Sequence, residues 1–225
     1  ALDTFVKRIK SGIDTDWSDN PGGEPEIIGS AQDGANDHEK IYGLFNPSSV
    51  YPLFANALRA KDGTSPAKHM LEVGELFSEF SKVASENEHA WFPIHRTAEE
   101  ISEVKPENRI IGFPYTKYMN SIMRVNQSSA LVMVSAKKAR EMGIPESKWV
   151  FMHAGACLNE IFHMSDRVDY HSSPAIKSCT DAVFNLSNTT QEEMDFLDIY
   201  SCFPSAVQIA INELGIMPND SRGLT

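Results

Sequence analysis

With 225 residues, 41% of them hydrophobic, the chain is long enough to bury a sizeable core, as one large domain or two small ones. A formal net charge of −11, with no Lys/Arg cluster to offset it, argues against a nucleic-acid surface. No apolar run approaches the roughly 20 residues of a membrane helix, and the first residues do not read as a secretory leader. The sequence opens at Ala1 without an initiator Met, as though in mid-helix, so a piece of a longer protein is expected. Ala1 to Lys10 reads as an amphipathic helix with Leu2, Phe5, Val6 and Ile9 on one face, and Gly12 stops it. Asp14 to Lys40 is rich in Gly, Pro, Asp and Asn, lacks periodicity and predicts a long irregular loop, anchored by Trp17.

Helical spacing returns from Asn46 to Ala60, with Val50, Leu53, Phe54, Ala57 and Leu58 on one side. After a Lys61-Asp62-Gly63 turn, Ser65 is a good N-cap and Pro66 a good first residue of a second helix. Its apolar stripe is Met70, Val73, Phe77, Phe80 and Ala84, and at this spacing such a stripe reads as core. Thr97 to Glu100 is a capping box for a further short helix. Ile110 to Phe113 is a short apolar run, broken by Pro114 to Lys117.

The second half reads differently. Ala130 to Val134 is a continuous apolar run of the kind buried on both faces of a sheet. Ser135 caps a helix through Met142, which Gly143 ends. Trp149 to Met152 reads as a second strand, and Ser173-Pro174 opens a helix with Ala175, Cys179, Ala182, Val183 and Leu186 inward. Phe196, Leu197 and Ile199 form a third strand. Pro204 opens the last helix, in which Phe203, Ala206, Val207, Ala210, Ile211 and Leu214 recur at helical spacing until Gly215. A βαβαβα order predicts an α/β fold with a mostly parallel sheet flanked by helices.

Between the last strand and helix sit Tyr200, Ser201 and Cys202. A turn there presents side chains beside the unpaired N–H groups of a helix N-terminus, which favours anions and can lower a thiol's pKa. A buried, inert cysteine in a strand–helix junction is the competing reading, since free Cys is among the most buried residue types. Cys157, Cys179 and Cys202 are odd in number and widely spaced, which fits a reducing cytoplasm better than a disulfide framework. His153, His163 and His171 with Cys157 match no compact zinc spacing, so no metal is expected. No glycine-rich phosphate loop accompanies the strands, so no nucleotide-cofactor fold is implied.

The tetrapeptide Tyr200-Ser201-Cys202-Phe203, followed by an apolar helix, resembles the loop that reads Asn-Glu-Ala-Phe in most thiolases and His-Asp-Cys-Phe in the sterol-carrier-protein-X type. The fuller run from Asp198 to Ile216 is similar to bacterial thiolase-like, acetyl-CoA acetyltransferase-like proteins; Glu86 to Ile101 resembles the end of the thiolase loop domain, and Pro114 to Ile144 the return from it into the second half. The resemblance implies three regions. Residues 1–34 would end an N-terminal half and carry an irregular loop, 35–122 would be a mainly helical loop domain, and 123–225 an incomplete C-terminal half. It also implies a cytoplasmic acyltransferase of lipid metabolism, using coenzyme A or acyl-CoA as substrate and no permanently bound cofactor. The reaction would be acyl transfer or Claisen-type carbon–carbon bond formation or cleavage, with the nucleophile outside this chain. Tyr200 would stand at the oxyanion-hole position of the loop, Ser201 in place of a carboxylate, and Cys202 at the Ala or Cys position. Lys117 and Arg124 would lie near the path of coenzyme A, and His95-Arg96 could meet its phosphates or be a solvated loop end. Because Tyr200 and Ser201 depart from the pattern, a non-catalytic binder of CoA thioesters or lipids is the alternative.

Overall fold

The computed structural model describes residues 2–15, 21–29 and 32–224. Trp17, the expected loop anchor, lies outside the described residues. The helices in chain order are α1 (Leu2–Lys10), α2 (Asp37–Ile41), α3 (Pro47–Lys61), α4 (Pro66–Glu86), α5 (Ala98–Ser102), α6 (Ala136–Glu141), α7 (Pro174–Ser187) and α8 (Pro204–Leu214). Two short strands, β1 (Ile110–Gly112) and β2 (Tyr115–Thr116), pair antiparallel, Ile110 opposite Thr116 and Gly112 opposite Tyr115. The chain divides into two units, Ala1–Ser30 with Ile122–His153, and Ala31–Ser121 with Ala154–Thr225.

In the first unit, α1 carries the expected amphipathic pattern, with Lys7 paired to Asp3 one turn back at 2.6 Å. Thr4 and Asn126 exchange two hydrogen bonds of 3.1 and 2.7 Å, which join the two stretches of the unit. Ser135 caps α6 by accepting from the Lys138 N–H at 3.2 Å, as its sequence signal predicts. Gly143, at φ +68°, then turns the chain out of the helix. Trp149 donates to the Ile144 carbonyl at 3.1 Å, and the Arg140 guanidinium lies 5.0 Å over its ring.

The parallel sheet expected from residue 123 onward is not formed among the described residues; the one sheet there is the β1–β2 pair. Ala130–Val134 and Trp149–Met152 are neither paired nor buried. Leu131 is 84% exposed and Val150 96%. The physical reason is that a strand is stabilised by neighbours at both edges and apolar layers on both faces. No described residue supplies either, so hydrophobicity by itself does not make these runs a sheet.

The second unit is well packed. Ser65 caps α4 by accepting from the Lys68 N–H at 3.3 Å, and Thr97 and Glu100 form the predicted capping box of α5. Gly74 lets α4 press against α5, because a Cβ there would run into the Ala98 carbonyl. Asn108 is buried, and its amide nitrogen donates to the carbonyls of Glu100, Ile101 and Glu103 at 2.9 to 3.1 Å. Its oxygen accepts from the Tyr118 N–H at 2.9 Å, so one side chain closes the whole turn between α5 and the hairpin. The long loop expected up to Lys40 ends earlier, because Asn36 and Glu39 form a capping box that starts α2. Glu39 is buried and accepts from the Ser165 N–H at 2.6 Å, tying α2 to the later stretch of the same unit.

Two apolar clusters form the core of this unit. Ala55, Val73, Ile101, Tyr115, Met119 and Phe203 make one. Leu76, Val207, Ala210, Ile211, Ile216 and Leu224, with Ile199, make the other. Helix α8 and its entry contribute to both clusters, so the turn before α8 is held by the best-packed part of the unit. The stripe predicted for α7 is only partly inward: Ala175 is buried, whereas Leu186 is exposed.

Candidate functional site at the entry to helix α8

Residues Asp195–Tyr200, where a strand is expected before α8, form no strand among the described residues. Ile199 is anchored, its side chain buried and its N–H donating to the Leu224 carbonyl at 2.8 Å. Phe196 and Tyr200 stand out at 86% and 77% exposure. The Cys202 carbonyl accepts from the Ser121 N–H at 3.3 Å, which locks the turn against the chain that leaves the hairpin. Phe203 is the N-cap residue, and Pro204 takes the first helical position, where its missing N–H costs nothing.

Tyr51 of α3 is a member of this site that sequence reasoning missed. Its ring stacks on Phe203 at 4.3 Å between centroids, nearly parallel. Its phenol and that of Tyr200 both lie close enough to the half-buried Cys202 thiol to interact with it electrostatically. Burial, followed by the Cys202 contact, raises the Tyr51 pKa above the ordinary phenol value. The neighbouring Cys202 raises that of Tyr200. Both phenols therefore remain protonated donors at neutral pH. A third phenol, Tyr115, is buried and accepts from the Ser205 N–H at 3.1 Å, which occupies one of the helix's end donors. Of the three, Tyr51 and Tyr200 also line the cavity beside the turn, and their O–H groups can donate to a developing negative charge, which is the chemistry of an oxyanion hole. Ser201 has polar or packing contacts of its own.

Next to the turn is a cavity of about 320 Å³, lined by Tyr51, Phe54, Ile176, Ile199, Tyr200 and Ile209 together with Arg167, Ala206, Ala210 and three serines. Arg167 is its one charged wall residue, and four of its five N–H donors have partners. It donates to the carbonyls of Asp169, Ile161 and Ser172 at 3.2 to 3.4 Å and lies 3.5 Å from Glu160. Glu160 in turn accepts from the Ser173 hydroxyl and the Ala175 N–H at 2.7 and 2.9 Å, capping α7. Burial works to raise the Glu160 pKa, but these bonds and the charge of Arg167 bring it below the ordinary carboxylate value.

The remaining predicted residues lie elsewhere. Lys117 follows the hairpin, its ammonium 5.8 Å from the Tyr118 ring. Arg96 stacks on the same ring at 4.1 Å, so a small basic patch forms around one aromatic. His95 lies 3.4 Å from the Ser78 hydroxyl. Arg124 belongs to the first unit and is exposed. No three His, Cys, Asp or Glu side chains are placed to hold a metal ion among the described residues. His163 and His171 lie near Asp166 and Asp169, each at 3.5 Å. No helix among the described residues is long and apolar enough to cross a membrane.

No family model matches the chain, and no curated protein matches it. Among solved structures, it is similar to a monomeric SCP2-thiolase-like protein type 1 from Mycobacterium smegmatis, with 34% identity and a TM-score of 0.80. The match covers 86% of this chain and 42% of that one, so the chain spans less than half the length of its structural neighbour. At this identity and overlap the chain has a thiolase-like fold.

Proposed function

We propose that this chain belongs to an acyl-CoA-handling protein of the thiolase superfamily and supplies part of its oxyanion-stabilising site. Its reaction class is acyl transfer or Claisen-type carbon–carbon bond formation or cleavage, in the cytoplasm, with the nucleophile provided from outside these 225 residues. The observation that supports this most is the Tyr51–Cys202–Tyr200 cluster at the entry to α8, within a chain 34% identical to an SCP2-thiolase-like protein. Thioester chemistry needs a nucleophile, a proton shuttle and an oxyanion hole within reach of one carbonyl, and only the last is recognisable here. Coenzyme A phosphates fit the patch of Arg96 and Lys117 around Tyr118, and Arg124, in the other unit, is a separate candidate.

Calorimetry with acetyl-CoA tests the reading. Saturable binding is expected, weakened about tenfold or more by Lys117→Ala or Arg124→Ala, since a hydrogen bond to a charged group is worth about 1.5–3 kcal/mol. Absence of any binding would contradict it. Residues 1–225 alone should neither thiolyse acetoacetyl-CoA nor gain an acetyl group on incubation with acetyl-CoA. A mass gain that Cys202→Ala removes would place the nucleophile at Cys202 and overturn the assignment of roles.

A further inference from the structure

The cavity beside α8 is large for the smallest acyl group that a thioester could bring to it. At about 320 Å³ it is roughly twice the 150 Å³ apolar cavity that admits a benzene ring. At that packing it has room for roughly a dozen carbon atoms, and an acetyl group would leave most of it empty. Its wall is mainly hydrocarbon, from Phe54, Ile176, Ile199, Ile209 and Ala210. The Ser172, Ser173 and Ser205 hydroxyls are committed, donating to Asp169, Glu160 and the Tyr51 carbonyl at 2.9, 2.7 and 3.4 Å. That leaves the Tyr51 and Tyr200 phenols, beside Cys202, as the available O–H donors of the wall. The charge of Arg167 is already answered by Glu160 at 3.5 Å, so the wall offers no net positive charge to a buried carboxylate. A neutral carbonyl needs only the two phenols.

We infer that this cavity seats a medium-length acyl tail of about eight to twelve carbons, whose neutral carbonyl is held by the Tyr51 and Tyr200 hydroxyls. The inference rests on the acyl-CoA reading and deepens it, because it names the substrate class as a medium-chain thioester and makes acetyl-CoA a poor fit. Each methylene that enters the cavity adds about fourfold to affinity until the space is full. Carbons beyond that length stay in water and add little. A free fatty acid of the same length is disfavoured by its charge.

Calorimetry on the whole chain with acyl thioesters of N-acetylcysteamine, which carry no nucleotide, reads the cavity without coenzyme A. From hexanoyl to decanoyl the Kd should fall about fourfold per added methylene, and from dodecanoyl to tetradecanoyl less than about twofold in all. Ala206→Trp fills the cavity from a half-buried position on α8 and should make decanoyl bind no better than hexanoyl. Ile176→Trp, entering from α7, gives the same readout should the first variant fail to fold. The uncharged 2-decanone should bind about tenfold or more tighter than decanoate. The inference is overturned if affinity does not depend on tail length, if neither tryptophan alters that dependence, or if decanoate binds as tightly as 2-decanone. The acyl-CoA reading is judged separately. Equal affinity for acetyl-CoA and decanoyl-CoA would remove the tail seat and keep that reading, whereas failure of every CoA thioester to bind would end both.

Discussion

Two stretches of this molecule have nearly the same local grammar, but only the second is anchored by a buried residue and leads into a buried helix. Ala130–Val134 leads through the Ser135 cap into α6, and Phe196–Ile199 leads through Phe203 into α8. Helix α6 buries only Ala139, and the run before it lies in solvent. Helix α8 buries six residues, with Val207 at 0% exposure, and the run before it is anchored through Ile199. The difference is tertiary. An apolar run becomes core only where another element brings an apolar face to it, and α3, α7 and Leu76 of α4 do this for α8.

The largest effect that would break this comparison is a carboxylate at the buried position. Val207→Asp should cost about 4 kcal/mol or more and unfold the second unit, because an unpaired charge would be buried in a packed cluster. Val132→Asp, in the run that the comparison calls solvent-exposed, should change thermal stability by less than about 0.5 kcal/mol. Equal losses by differential scanning calorimetry would erase the distinction. Next in size is Asn108→Ala, which takes the side-chain partner from the Glu100 and Glu103 carbonyls and the Tyr118 N–H and leaves the Ile101 carbonyl only the Thr116 hydroxyl, and about 3 kcal/mol is expected from denaturant melts. Gly74→Ala should cost about 1–3 kcal/mol, since the new methyl must displace the Ala98 carbonyl and part α4 from α5.

The smallest effect concerns pH. His69 on α4 is 3% exposed, its Nε2 has no hydrogen-bond partner among the described residues, and burial lowers its pKa from the ordinary 6.5. The folded state therefore binds fewer protons than the unfolded state once pH drops below about 6.5. Stability should be full above that pH and decline as pH falls toward the lowered folded value. His69→Leu should flatten that part of the stability curve, and an unchanged slope would show that His69 already has a proton partner.

What was legible in the sequence was what is local. Ser65, Thr97 and Ser135 announce helix starts because a cap acts within three residues, and Gly143 and Gly215 announce stops because only the left-handed region is needed. The Asn36–Glu39 box carries the same signal but is hidden in a stretch dominated by Gly, Pro and Asp. Strand pairing was not legible, because hydrophobicity at 130–134 marks a need for partners and says nothing of where they are. The candidate site divides along the same line. Tyr200 and Cys202 are neighbours in sequence and were read together, whereas Tyr51 reaches Cys202 only through its stacking on Phe203, a contact that links α3 to α8.

Amide hydrogen exchange on the isolated chain tests the contrast between unpartnered and partnered runs most directly. Residues 131–134 and 150–152 should exchange at close to the rates of unstructured peptide, while Val207–Ile211 should be protected to the level of global unfolding of their unit. Protection at 131–134 comparable to that of Val207 would show that these runs already have strand partners, and would contradict the account.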